Sequence, residues 1–377
     1  MKPMPHQIDG ARFLAEKDFA ILADAPRVGK TGAAIMAADY VLARCILVVT
    51  TASGRAVWRK GFGDWSVMGR SVAIATPSKV TARDVDVVIV GWPSVANAKL
   101  RSDLLKRTWD LVIFDEHHYA KNFTAKRTVA TFGVPQDDGA HLATRACLGG
   151  AAPRVWNLSG TPMPHSPFDL YPLLRFGAPD RLAANDKGWP DVTCESVFKK
   201  RYCKVRPKKI GNGPYARRID VIMGGQNLDE LRERIEGLML RRTQQDVGIM
   251  PPIYETVPLL VGERARKAAE KAADLETVVV AIDKGSTRDL EMHLGPLRRL
   301  TGEIKARAVA ELVRDEFESG LDKIVLAYWH SDVAKVLIEE LEKFGVTGID
   351  GSTPDKARAA NVEAFSRPDG PRVFLAQ

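Results

Sequence analysis

Cysteine is scarce in this sequence, and long apolar runs are absent. The four cysteines among 377 residues include no C-x-x-C pair, which excludes the usual cysteine zinc sites and gives no disulfide framework for a chain of this size. Apolar stretches such as residues 46–50 and 111–114 are far shorter than the roughly 20 residues that cross a bilayer. The first ten residues lack the apolar core of a signal peptide. We therefore expect an intracellular protein, in the cytoplasm or nucleoid, with no membrane partner.

A large excess of one charge is also lacking. The chain has 55 Lys+Arg and 47 Asp+Glu, so its formal net charge is +8. Apolar residues make up 45% and charged residues 27% of the sequence, which is ordinary globular composition and excludes a disordered, collagen-like or coiled-coil chain. The length predicts two or three domains.

Short apolar runs alternate with helical patterns, which is typical of a parallel sheet with helices on both faces. In the first half of the chain, the expected strands lie at 19–23, 45–50, 72–75, 86–91, 110–115 and 154–158. We predict an α/β protein of two doubly wound parallel-sheet lobes, divided into a first lobe at 1–181, a helical insertion at 182–302 and a second lobe from 303 to 377.

The expectations for the insertion and the second lobe are more specific. Helices are expected in the insertion at 228–241 and 263–282, and strands in the second lobe at 323–328, 346–350 and 372–375. Because the sequence ends directly after the last of these strands, we expect the second lobe to be incomplete.

A phosphate-binding loop is predicted between the first strand and a helix that begins near Thr31. The loop consists of Asp24, Ala25, Pro26, Arg27, Val28, Gly29, Lys30 and Thr31, followed by Gly32. Backbone N–H groups at a helix N-terminus form an anion cradle, Lys30 can reach the terminal phosphates, and the Thr31 hydroxyl can bind Mg²⁺. The match to G-x-x-x-x-G-K-S/T is imperfect because Asp24 replaces the first glycine, and a stray G-K-T is the alternative.

A pair of carboxylates strengthens this interpretation. Asp115 and Glu116 follow the apolar strand 110–114, and ligands of parallel sheets bind at the carboxyl ends of the strands. Asp115 can hold Mg²⁺, and Glu116 can orient or deprotonate the attacking water. The alternative is a solvated acidic turn. The next residues, His117 and His118, lack a zinc spacing, and we expect His118 to hydrogen-bond a neighbouring strand end.

The order of several motifs resembles that of superfamily-two helicases of the Snf type, and within these the HARP-type annealing helicases. The general motifs are Pro5-His6-Gln7 with Gly10, the phosphate loop, residues 115–118 with Lys121-Asn122, and Leu158-Ser-Gly-Thr-Pro162. The more specific ones are residues 50–53 with Trp58 and Trp65, residues 201–203, and residues 238–242 with Asp246-Val247. Residues 323–328 and 351–353 resemble the first motifs of the second lobe.

This resemblance implies a RecA-like P-loop ATPase that uses ATP and Mg²⁺ to translocate along double-stranded or branched DNA. It implies that Gln7 reads the adenine, that Lys30, Asp115 and Glu116 are catalytic, and that Thr31 and Asp115 hold the metal. It assigns coupling between nucleotide and DNA to His118, Ser159, Gly160 and Thr161, and DNA contacts to Thr51, Ser53 and Trp92. Arg27 departs from the family, which has a glycine there.

The basic residues concentrate in one segment. Between 196 and 219 there are nine Lys/Arg and no acidic residue, so this segment carries +9 and the rest of the chain is close to neutral. Seven of these are our main DNA-binding candidates: Lys199, Lys200, Arg201, Lys204, Arg206, Lys208 and Lys209. Lys/Arg side chains that replace condensed counterions give sequence-independent DNA affinity. Gly211, Gly213 and Pro214 predict a loop or ribbon with exposed side chains, and the alternative to DNA contact is a solvated basic loop.

Two other functions remain open at this point. The first is a nucleotide-dependent DNA-binding module with little turnover, because the arginine that the family directs at the γ-phosphate lies beyond residue 377; a carboxyl-terminal lobe would then be a missing partner. The second is a helicase that separates DNA or RNA strands.

Overall fold

A computed structural model of the protein describes residues 2–78, 84–133, 147–210, 217–250, 253–259 and 287–377, together with Glu263 and Lys267. The chain divides into two compact units, Met1–Pro252 and Ile253–Gln377. Residues 182–252 of the predicted insertion therefore belong to the first unit and residues 253–302 to the second. In the described part of the chain, no helix is both long enough and apolar enough to span a bilayer.

The first unit contains a parallel sheet of seven strands in the order β3-β4-β2-β5-β6-β1-β9. Its strands are β1 (Phe19–Leu22), β2 (Ile46–Thr50), β3 (Val72–Ala75), β4 (Val87–Gly91), β5 (Leu111–Asp115), β6 (Arg154–Leu158) and β9 (Met239–Leu240). The first six are the strands expected from the sequence, with ends that differ by one residue at most. This confirms the predicted α/β class.

The central strands are apolar throughout because both faces of the sheet are covered. In β2, Leu47 and Val49 belong to the core on one face, whereas Ile46 and Val48 belong to the core on the other. The helices of this unit are α1 (Pro5–Ala15), α2 (Lys30–Tyr40), α3 (Gly54–Trp65), α4 (Ala98–Leu105), α5 (Lys126–Phe132), α6 (Tyr171–Gly177), α7 (Glu195–Tyr202) and α8 (Leu228–Arg234).

The predicted insertion is not purely helical. Between α7 and α8, the strands β7 (Cys203–Ile210) and β8 (Arg217–Gly225) pair as an antiparallel ribbon. The expected helix 228–241 is too long, because α8 ends at Arg234 and Gly237 then takes a φ of +73°, a left-handed conformation that ends a helix. Residues 239–240 instead form β9 beside β1. The expected helix 263–282 lies outside the described residues, apart from Glu263 and Lys267, which are helical.

The second unit has a parallel sheet of three strands in the order β10-β12-β11. The strands are β10 (Ile324–Ala327), β11 (Val346–Ile349) and β12 (Val373–Ala376), and the helices are α9 (Thr287–Glu318), α10 (Ser331–Leu341) and α11 (Asp355–Ser366). All three strands lie where the sequence predicts them. Their core includes Val313 of α9, Leu337 of α10 and Leu375 of β12.

Candidate nucleotide site and nucleic-acid interface

The carboxyl ends of the parallel strands bring the predicted motifs to one edge of the first sheet. Asp115 is opposite Leu158 on the neighbouring strand, so the acidic pair and residues 159–161 are adjacent. Thr50 is opposite Gly91 on the other side. The phosphate loop follows β1, which pairs with β6. The structure therefore gathers segments that are far apart in the sequence into one candidate site.

The phosphate loop enters α2 through two residues with left-handed backbone. Gly29, just before the helix, has a φ of +99°, and Arg27 has a φ of +72°. A side chain at position 29 would overlap Nε2 of Gln7, so glycine is required for Gln7 to lie against the loop. The ring of His6 hydrogen-bonds the Val28 carbonyl at 2.9 Å. The start of α1 is thus packed directly on the loop.

Lys30 connects the loop with the acidic pair. Its Nζ donates to the carbonyl oxygens of Asp24 at 2.8 Å and Ala25 at 3.4 Å. Burial lowers the pKa of Lys30, while the negative charges of Glu116, Asp115 and Asp24 oppose that shift. The ammonium group therefore lies among three carboxylates and the loop carbonyls, where a phosphate group can replace the carbonyls as its partner.

Asp115 is held by three hydrogen bonds. Its Oδ2 accepts from the hydroxyl of Thr50 at 2.7 Å and from the indole of Trp58 at 2.8 Å, and its backbone oxygen accepts from the indole of Trp92 at 2.7 Å. Burial raises the pKa of Asp115, and the bonds from Trp58 and Thr50 counteract this shift. Both described hydrogen bonds to the side chain reach Oδ2, which leaves Oδ1 for a cation.

Glu116 has left-handed backbone with a φ of +53°, a conformation whose cost is often retained at functional sites. Its Oε2 accepts from the Ser159 hydroxyl at 3.2 Å and lies 3.2 Å from Nδ1 of His118. The hydrogen bond from His118 is the main cause that lowers the pKa of Glu116, against the effect of burial. Glu116 is therefore a carboxylate at neutral pH.

The predicted coupling residues surround Glu116. Nδ1 of His118 lies 2.9 Å from the Ser159 hydroxyl, which is the expected hydrogen bond to a neighbouring strand end. The backbone N–H of Thr161 donates to the same hydroxyl at 3.1 Å. A Cβ at Gly160 would lie 2.9 Å from the ring of Pro26, so residues 159–161 contact both the acidic pair and the phosphate loop.

Three contacts in this site escaped the sequence reasoning. Thr50 and Trp58 both donate to Asp115, a contact that their place in the sequence does not indicate. Asp24, which replaces the first glycine of the loop, forms an ion pair with Arg242 at 2.5 Å. The only sequence signal for these contacts was the resemblance of residues 50–53, Trp58 and residues 238–242 to the same family.

Among the predicted DNA contacts of the first sheet, Trp92 could contribute only through its backbone. Its side chain is fully buried in the core and donates to the Asp115 carbonyl, so this side chain is not available to DNA. Ser53 is exposed and Thr51 half-buried at the start of α3. The Thr51 hydroxyl accepts a hydrogen bond from the backbone of Gly54 at 3.0 Å.

The basic segment is divided between a helix and a ribbon. Lys199, Lys200 and Arg201 lie in the last turn of α7, and Lys204, Arg206, Lys208 and Lys209 lie on β7. The guanidinium of Arg201 donates two hydrogen bonds to Glu230, so this residue already has a partner within the protein. Lys200, Lys204, Arg206 and Lys208 are exposed, so the accessible part of this charge consists of Lys200 on α7 and three cations of the ribbon. The side chain of Lys209 lies outside the described residues.

A lysine at the start of the helix that follows one parallel strand, with two carboxylates at the carboxyl end of a strand two places away in the same sheet, is the arrangement of P-loop nucleotide-binding proteins. The family model of the SNF2-related domain matches residues 6–267. The chain belongs to this family, which confirms the resemblance inferred from its motifs.

Relatives from several animals match along most of the chain. One is the SWI/SNF-related matrix-associated actin-dependent regulator of chromatin subfamily A-like protein 1 of Xenopus tropicalis, 28% identical over 372 residues, which cover 96% of this chain and 36% of that protein. Another is the DNA annealing helicase and endonuclease ZRANB3 of Homo sapiens, 24% identical over 390 residues, which cover 99% of this chain and 33% of that protein. The chain thus spans about a third of the length of these relatives.

A solved structure is similar along the whole chain. It is the Sulfolobus solfataricus SWI2/SNF2 ATPase core in complex with dsDNA, with a TM-score of 0.50 and 18% sequence identity, covering 100% of this chain and 78% of that one. This likeness supports the predicted RecA-like fold.

Proposed function

We propose that this chain is an ATP-hydrolysing motor that binds duplex or branched DNA and translocates along it. The observation that carries the proposal is the convergence of Lys30, Asp115 and Glu116 at the carboxyl ends of β1 and β5, in a chain of the SNF2-related family. DNA as substrate is supported by the names of the relatives and by the exposed cations of the β7–β8 ribbon.

The residues present fit ATP and Mg²⁺. Gly29 allows the left-handed turn by which the loop enters α2, whose N-terminal N–H groups favour an anion. Lys30 would hold the terminal phosphates, and Gln7, against the loop, would contact the adenine. Oδ1 of Asp115 and the hydroxyl of Thr31 would hold the metal, which when bound neutralises charge on the phosphate oxygens.

Glu116 is the residue that would act on water. A carboxylate whose pKa is lowered orients water well and accepts its proton only as bond formation advances. The contacts of Glu116 with Ser159 and His118 would transmit a change at residues 159–161 to this carboxylate. We therefore assign coupling between DNA and hydrolysis to His118, Ser159, Gly160 and Thr161.

The test of this function is phosphate release from ATP with and without duplex DNA. We expect DNA to stimulate release, and Glu116→Gln to abolish it while ATP binding remains, because Asp115 and Lys30 are intact. Binding of ATP and DNA without turnover in the unchanged chain would instead support a DNA-binding module. Separation of a tailed duplex would support a strand-separating helicase, and absence of nucleotide binding would refute both motor functions.

The ribbon is proposed as a DNA-backbone contact. Arg206 and Lys208 alternate along β7, so they share one face about 6.6 Å apart, and a two-stranded ribbon is narrow enough for the major groove. Replacing Lys204, Arg206 and Lys208 with Glu should weaken binding to all duplexes alike and reduce the slope of log K against log salt by about 2.7, since three phosphate contacts are lost.

A control with the same change of net charge is available in the same unit. Lys17, Arg44 and Lys106 each precede a parallel strand, β1, β2 and β5 respectively, so they lie at the edge of the sheet opposite the site. Their replacement with Glu should leave the salt slope nearly unchanged. Equal loss of affinity in both triple variants would show that net charge, and not the ribbon, determines DNA binding.

A further inference from the structure

A buried carboxylate stands at the first position of the phosphate loop. The Asp24 side chain is 1% exposed, and its two oxygens accept from Nε of Arg242 at 3.0 Å and Nη2 at 2.5 Å. These partners are 218 residues apart in the sequence. The pair is bidentate, the geometry in which an arginine compensates a buried carboxylate best.

Arg242 also forms hydrogen bonds with the backbone of two segments near this carboxylate. Its Nη1 donates to the carbonyl of His6 at 2.6 Å, at the start of α1, and its own carbonyl accepts from the backbone N–H of Ala25 at 2.8 Å. A Cβ at Gly10 would lie 2.8 Å from Nη2 of Arg242. One guanidinium therefore connects the first helix with the phosphate loop.

Residues close to Arg242 in the sequence also form hydrogen bonds with the phosphate loop and the strand end before it. The carbonyl of Leu240 accepts from the N–H of Ala23 at 2.7 Å, and Nε2 of Gln244 donates to the carbonyl of Pro26 at 2.9 Å. We call residues 239–244 the strap. The strap extends the pairing of β9 with β1 beyond the end of the sheet, so that the first half of the loop lies against it.

We infer that Arg242 is a positioning residue for the nucleotide site, which fixes the phosphate loop through Asp24 and thereby links the position of the strap to nucleotide affinity. The inference rests on the proposed nucleotide-binding function. Asp24 is among the charges that act on Lys30, so the phosphates that Lys30 binds would also experience an unpaired carboxylate at position 24. Arg242 removes that repulsion and at the same time holds the loop backbone.

The linkage is reciprocal by thermodynamic necessity. If the strap must lie against the loop for tight binding, nucleotide must in turn stabilise the strap, although none of the predicted nucleotide contacts lies within residues 239–244. A displacement of the strap would likewise weaken nucleotide binding. The strap thus provides a route by which the chain that follows it can control the affinity of the site.

The first test compares Arg242→Gln with Arg241→Gln, a matched change at the neighbouring exposed residue. The affinity for MgADP, measured with a fluorescent analogue, should fall about tenfold or more in Arg242→Gln, because a hydrogen-bonded charge pair is broken, and stay within about twofold in Arg241→Gln. The double variant Asp24→Asn with Arg242→Gln should recover part of the loss, since the neutral amide no longer repels phosphate.

A second variant addresses the possibility that Arg242→Gln unfolds. Gly10→Ala places a methyl group against the guanidinium, while alanine itself favours helix α1. It should weaken MgADP binding by about threefold or more while the nucleotide-free protein stays folded at the assay temperature, because the guanidinium is displaced but not removed. A purely structural role of Arg242 would lower the unfolding temperature and leave nucleotide affinity at lower temperature unaffected.

Hydrogen exchange gives an independent readout. MgADP should slow exchange at the N–H groups of Ala23 and Ala25, which donate to the strap, and Arg242→Gln should abolish that protection. Unchanged affinity in both Arg242→Gln and Gly10→Ala, with normal binding in the parent, would overturn the inference and leave the proposed function standing. No nucleotide binding by the parent and by Arg241→Gln would instead refute the proposed function.

Discussion

Replacing Trp58 with Phe should weaken the metal-dependent part of ATP binding. The indole of Trp58 donates to Oδ2 of Asp115 at 2.8 Å, and the side chain is fully buried. Phenylalanine retains most of the apolar volume but cannot donate this bond. A hydrogen bond to a charged group contributes about 1.5–3 kcal/mol. If that energy keeps Asp115 ionised and oriented for Mg²⁺, its loss corresponds to about a 10- to 150-fold weaker metal affinity.

The pH dependence of this variant has a definite direction. The bond from Trp58 stabilises the ionised form of Asp115 and so lowers its pKa, against burial, which raises it. Without the bond, the pKa of Asp115 rises further, and the proton competes with Mg²⁺ at a higher pH. The acid limb of MgATP binding should therefore move to higher pH in Trp58→Phe than in the parent.

The assay is calorimetric titration with ATP at several Mg²⁺ concentrations and pH values. Affinity for metal-free ATP should be nearly the same in the variant and the parent, because Lys30 is unchanged. Trp109→Phe is the matched control: Trp109 is also buried and donates to the carbonyl of Leu104 at 2.9 Å, before the opposite end of β5. Equal Mg²⁺ affinity in Trp58→Phe and the parent, or an equal loss in Trp109→Phe, would refute the reasoning.

Three further predictions follow from the same site. Lys30→Ala should abolish MgATP binding without lowering the unfolding temperature, and calorimetry showing unchanged affinity would contradict the assignment. Arg27→Gly should raise the free energy of unfolding by about 0.5–1 kcal/mol, because relief of a left-handed backbone exceeds the entropic cost of glycine; a lower urea midpoint would argue against it. His118→Gln removes the main cause that lowers the pKa of Glu116, so the acid limb of ATP hydrolysis should shift to higher pH, whereas an unchanged profile would assign that limb to another group.

The location of the site was predictable because its signals are local. Buried parallel strands are short apolar runs, and the residues directly after them must lie at one edge of the sheet. Lys30, Asp115 and Glu116 are therefore found together, as expected. The same logic does not apply to the basic segment, which the sequence assigned to a separate insertion at 182–302 and which lies in the first unit; nor does it show that Arg201 is paired with Glu230.

The contacts that escaped prediction depend on tertiary structure. No local pattern shows that Asp24 meets Arg242, since 218 residues separate them. Residues 238–240 were expected to end a helix, because a strand of two residues is too short to show the alternating pattern of a strand. Residues 239–240 form β9 only because they pair with β1 at the edge of the sheet. Trp92 has a large apolar ring and one N–H donor, so it can be buried where that N–H finds an acceptor. The sequence does not show that the acceptor is the Asp115 carbonyl.

The ribosome makes the strap long after it has made the strand and the loop that the strap contacts. Residues 19–158 contain six strands of the first sheet, but the partner of β1 on its outer side and the guanidinium that compensates Asp24 arrive only with residues 239–242. At roughly 5–20 residues per second, the ribosome takes roughly 10–45 s to cover the 218 residues from Asp24 to Arg242. A nascent chain in that interval has a nearly complete sheet and an uncompensated buried carboxylate, so it should bind nucleotide more weakly than the finished chain. If Arg242 raises nucleotide affinity as we infer, nucleotide stabilises this fold fully only after the strap has been made.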